Sequence, residues 1–116
     1  MTQLSISTKE RDVLERDALR LLCSVVIKPV TRVEFCNSLS PVVFLDPLRR
    51  VIFEEIHELG PISSRQLREL LPAKVTNRGY PDFEIEELLE PREVSEGELE
   101  RLFASVLRLL EIVAEE

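Results

Sequence analysis

Apolar residues recur along this chain at intervals of three and four, the period of helices packed on one face. Several runs open on a capping signal, in which Ser or Thr precedes Glu or Gln by three positions. Ser7/Glu10, Thr31/Glu34, Ser63/Gln66 and Ser95/Glu98 have that spacing, and Asp46-Pro47 supplies a cap followed by proline at the first helical position. The pattern predicts helices over about 8–26, 32–39, 47–59, 64–71, 82–90 and 96–115. Pro29 is expected to stop the first, Gly60-Pro61 the third and Pro72 the fourth. Residues 40–45, SPVVFL, should form a buried connection, and 73–81 the main loop. No segment alternates with period two. The expected fold is all-α: a compact single domain over 1–116, a bundle of about six helices with a long C-terminal one.

Each predicted helix has a candidate core face. Val13, Leu14, Leu21, Leu22 and Val25 mark the first, after Leu4 and Ile6. Leu48, Val51, Ile52, Ile56 and Leu59 mark the third. In the last helix, at about 100° per residue, Leu99, Leu102, Phe103, Val106, Leu107, Leu109, Leu110 and Val113 fill an arc of about 160°. Ile112 falls outside it, towards the polar side. Ile52 and Phe103, central in their stripes, should be buried. A helix covering a small bundle from outside needs a narrower stripe than this arc. Either the last helix is central, or one edge of it, around Leu109 and Ile112 with Arg108 beside them, is left for a partner.

Composition limits the function classes. At 116 residues with 44% apolar residues, this is an ordinary globular chain. It shows no apolar run of membrane-spanning length and no secretory leader, which points to the cytoplasm. Residues 82–116 carry 12 acidic and 3 basic side chains, whereas 1–81 carry 10 and 12. The acidic third disfavours direct nucleic-acid binding. Twelve of the 15 basic residues are Arg, suited to fixed bidentate contacts, which favours a protein partner.

Candidate chemistry is sparse. Cys23 and Cys36 sit among apolar residues and read as unpaired, buried thiols. The single histidine, His57, reads as a boundary residue near a helix C-terminus. There is no phosphate-cradling loop, no nucleophile elbow and no metal-ligand spacing. Glu54/Glu55 and Glu86/Glu87 are adjacent pairs, poorly placed to share a ligand, and read as solvated faces. No catalytic residue, cofactor or metal is expected.

The order of elements resembles a known family. "ERDALRLLCSVV", "FLDPLRRVIFEEIHEL", "ISSRQLRELLP" and "VSEGELERLFASVLRLLEIV" look like the C-terminal helicase-binding domain of bacterial DnaG-type primases, a fold shared with the N-terminal domain of DnaB-type replicative helicases. The resemblance spans roughly residues 10–114, and Phe44 to Pro47 is its most recognisable piece. It implies a non-catalytic module that docks on a replicative helicase or a primase-like protein, with a homodimer also possible. The zinc module and acidic metal core of a primase and the nucleotide motif of a helicase are absent from this sequence. The rival expectation is a small dimeric helical regulator that binds DNA through Arg49, Arg50, Arg65 and Arg68 around the 60–63 turn, a spacing that helix-turn-helix units share.

Overall fold

The computed structural model describes residues 7–85 and 96–115. Among them it holds five α-helices: α1 (Thr8–Leu22), α2 (Pro29–Ser38), α3 (Pro47–Leu59), α4 (Ser64–Asn77) and α5 (Glu96–Glu115), with one 3-10 turn at Pro41–Val43. No strand occurs among the described residues. The all-α expectation holds, with one helix fewer than predicted. Of the expected fifth helix, Asp82 lies in a turn and residues 83–84 take no regular structure, and 86–90 lie outside the described residues, as do Leu4, Ile6 and Ser95.

Where capping chemistry was unambiguous, the boundaries match. The Ser7 hydroxyl accepts the Glu10 amide at 3.1 Å. Asp46 accepts the Arg49 amide at 3.0 Å, with Pro47 at the first position of α3. Ser63 and Gln66 close a full capping box. Gly60 ends α3 at φ 71°, a region where a side chain would be strained.

The departures have physical causes. α1 ends at Leu22 because the next carbonyls are taken by side chains from elsewhere. The buried Arg32 donates through Nε to the Leu22 carbonyl at 3.0 Å. Arg68 donates to the Cys23 carbonyl at 3.1 Å, and the Ser64 hydroxyl to the Ser24 carbonyl at 3.0 Å. Val25 is therefore exposed, on a loop beyond the helix. Pro29 occupies the first position of α2, so it starts that helix rather than stopping the previous one, and Thr31 lies inside it instead of capping it. Pro72 lies within α4. A proline there removes one helical hydrogen bond, at a cost of about 3 kcal/mol. The turn beyond it seats the fully buried Val75 in line with Leu67 and Leu71, which offsets that loss. In the SPVVFL connection only Val43 and Phe44 are buried, while Val42 and Leu45 are exposed.

One core runs through all five helices. Ile52 is in it, while Phe103 is only half-buried and stacks at 5.4 Å, tilted, on Phe35 of α2. Val13, expected on the core face of α1, is exposed. Polar groups are buried with the apolar ones. Glu15, 1% exposed, accepts from Arg11, from the Leu45 amide and from Arg49. Arg49 also reaches Asp12 at 2.8 Å. Burial alone would lower the Arg49 pKa, but its bonds to Asp12 and Glu15 outweigh that and raise it. The segment around Asp46-Pro47 is thus tied to α1 through charged side chains.

Cys23 and Cys36 are both buried and unpaired. Burial pushes the Cys23 thiol from its ordinary 9.0 up to about 12, and the Cys36 thiol up to about 11.

Two expected outcomes follow from this packing. Arg32→Ala leaves the Leu22 and Ile62 carbonyls without their donor and should lower unfolding free energy by about 3–5 kcal/mol. Ile52→Ala should cost about 2–5 kcal/mol as a core truncation. Urea denaturation measures both. For the thiols, the unfolded chain loses its protons near pH 9 while the folded one holds them until about 11–12. Their effect on stability should be nil below about pH 9. Above it, stability should fall by up to ~1.4 kcal/mol per pH unit for each thiol until the folded thiols ionise. Thermal melts of wild type and a Cys23→Ala/Cys36→Ala variant across pH 8–11 should diverge above that point. Alkylation of the unreduced, unfolded chain should find two modified thiols by mass spectrometry.

Candidate interaction surface on the last helix

α5 packs most extensively on α1. The two run antiparallel, as their polar pairs show. Glu98 pairs with Arg20, and further along α5 Asp17 receives both Arg101 at 2.6 Å and Ser105 at 2.7 Å. Asp17 and Ser105 are themselves buried. These contacts set the rotation of α5 about its axis. At about 100° per residue, Arg101, Ser105 and Ile112 share one side and Leu109 lies next to it. α1 covers that side.

The expectation of an exposed edge at Leu109 and Ile112 is therefore corrected. Leu109 is 0% and Ile112 3% exposed, and Arg108 is half-buried beside Glu111 at 3.6 Å. Ile112 is buried despite lying on the polar side of the apolar arc, because Asp17 satisfies the polar groups of that side. The surplus apolar width is real but emerges at the other rim. Leu107, about 160° around the helix from Leu109, is 60% exposed. Phe103 and Leu110, between Leu107 and the core, are half-buried. Phe103 meets Phe35 of α2, and α5 also touches the 3-10 turn that presents the exposed Val42. The sequence did hold a signal for this phase: Ser105 sits between the Leu109 and Ile112 directions, and a small polar residue there marks a side closed by a partner within the fold.

Acidic side chains border this edge. Glu100 and Glu111, both exposed, follow Leu107 within about 40° around α5. Pro41 of the 3-10 turn also lines an open groove of about 600 Å³, together with Glu54, Glu55, His57, Glu58 and Arg78. Arg78 forks across the two adjacent glutamates, at 2.8 Å to Glu54 and 2.7 Å to Glu55, so this pair does share one cation. His57 is exposed, as expected of a boundary residue, and its Nε2 lies 3.2 Å from Asn37 Oδ1.

The four arginines of the DNA-binding alternative are engaged within the chain. Arg49 is held by Asp12 and Glu15, Arg50 donates to the Phe44 carbonyl at 3.1 Å, and Arg68 to the Cys23 carbonyl. Arg65 is the most solvated of them and pairs with Glu69. Among the described residues no cluster of His, Cys, Asp and Glu could hold a metal ion, and no helix is long and apolar enough to cross a membrane. No protein family matches the chain, and neither the curated proteins nor the solved structures yield a match.

The two rims of α5 should respond oppositely to charge. Leu109→Glu or Ile112→Glu places a carboxylate in the core and should unfold the domain or lower its melting temperature by well over about 10 °C. Leu107→Glu should shift it by no more than about 2 °C. Circular dichroism melts of the three variants distinguish this phase from its reverse.

Proposed function

We propose that this chain is a non-catalytic protein–protein interaction module of the primase–helicase docking type, as its resemblance to that domain implies. The observation that carries the reading is the uncovered rim of α5. A helix pinned along one side by buried polar contacts presents Leu107, with Phe103 and Leu110 behind it, to solvent. An exposed leucine gains roughly 25 cal/mol for each Å² that a partner hides. A rim on an already rigid helix loses little conformational freedom on binding. The engagement of Arg49, Arg50 and Arg68 by carboxylates and carbonyls of the chain itself weighs against the DNA-binding regulator.

The test is direct association with a purified DnaB-type helicase ring, followed by sedimentation velocity. Wild type should co-sediment with the ring, while Leu107→Glu, with its melting temperature unchanged, should lose binding at least tenfold. Retained binding by that variant would put the docking surface elsewhere. Absence of binding by wild type, together with salt-sensitive affinity for duplex DNA, would favour the regulator.

A further inference from the structure

Resting on the reading of α5 as a docking edge, we infer that its occupant is a basic amphipathic helix, one apolar face flanked by Lys or Arg. The apolar half of the match is Leu107 with the half-buried Phe103 and Leu110, a ridge at helical spacing that a second helix can straddle. The charged half is the border of that ridge. On the solvent side Glu100 and Glu111 are exposed, and Arg108, which lies 3.6 Å from Glu111, forms only a loose pair with it. The 3-10 turn that α5 touches contributes Pro41 to the groove of Glu54, Glu55 and Glu58. Arg78 already engages two of those carboxylates, so the fold itself shows a guanidinium seated there. Charge sign selects among occupants. A second copy would bring one acidic border of Glu100 and Glu111 against another, in a chain whose net charge is −7. An acidic or phosphorylated segment meets the same repulsion. A basic helix meets the carboxylates that border the ridge, and like-charge juxtaposition disfavours the rest.

The probes are two synthetic 18-residue amphipathic helices with the same leucine face, one with lysine and one with glutamate on its polar positions. Fluorescence anisotropy with the full chain should show the lysine peptide binding at least tenfold more tightly than the glutamate peptide, with affinity falling as salt rises. Leu107→Gln keeps every charge and should weaken the lysine peptide at least tenfold. If it does not, the attraction is only the diffuse field of an acidic protein and the inference fails. Glu100→Lys/Glu111→Lys should lose the lysine peptide and gain the glutamate one. If both peptides bind wild type equally and both depend on Leu107, the docking edge stands and the basic occupant is refuted. If neither binds, or if the chain self-associates through Leu107 in sedimentation equilibrium, the inference is refuted with it.

Discussion

The fold depends on a buried cation held by carbonyls and a hydroxyl. Arg32 is 1% exposed, and its partners are the carbonyls of Leu22 and Ile62 and the hydroxyl of Ser64. Burial lowers its pKa, a measure of how strongly the interior resists the charge. What makes the position tenable is the end of α1. The last carbonyls of a helix have no partners within it and carry the negative end of its dipole. Arg32 supplies a donor to the last carbonyl of α1, at Leu22, and Arg68 and Ser64 supply donors to the two that follow it, at Cys23 and Ser24. Each side cures the other's defect: the helix end needs donors, and the buried guanidinium needs acceptors. The same guanidinium reaches the turn between α3 and α4, so one side chain registers α1, α2 and the α3–α4 corner against each other.

A second set of polar contacts does the same for the rest of the bundle. α1 carries Glu15 towards α3 and Asp17 towards α5, both buried among apolar neighbours. Glu15 gathers Arg11, Arg49 and the Leu45 amide, which fixes the approach to Asp46-Pro47. Asp17 gathers Arg101 and Ser105, which fixes the rotation of α5. Apolar burial supplies most of the stabilisation but is tolerant of rotation, since a leucine contacts any oily neighbour. Hydrogen-bonded charges in a low dielectric are not tolerant, because an unpaired one is expensive. The polar contacts therefore decide which of several equally apolar arrangements is adopted.

This division explains what could be read from the sequence. α3 was legible to the residue at both ends because a cap, a helix-starting proline and a terminal glycine act locally. Ser63/Gln66 was legible for the same reason. Pro29 and Pro72 misled because a proline's local effect is ambiguous: Pro29 starts a helix where a stop was expected, and Pro72 is tolerated where Val75 has a buried seat beyond it. The early end of α1 could not be read at all, since it is set by donors up to 45 residues away. Arg49, read as a candidate for binding outside the chain, is instead the partner of Asp12 and Glu15, a long-range pairing with no local signature. At the candidate site, the excess apolar width of α5 was legible from periodicity, but the rim on which it emerges was not.

An apolar arc of about 160° is symmetric about its centre, so periodicity cannot say which rim faces out. Leu109 and Leu107 are its two extremes, and hydrophobicity alone ranks them equally. The symmetry is broken by Arg101 and Ser105, which lie beyond Leu109 and find Asp17 when that side turns inward. Had the opposite rim turned inward, Asp17 would have lost Arg101 and Ser105 and been left buried without them. The exposure of Leu107 is thus a consequence of where the polar side chains of α1 and α5 stand relative to each other. The electrostatics of the interior have left that rim open to solvent.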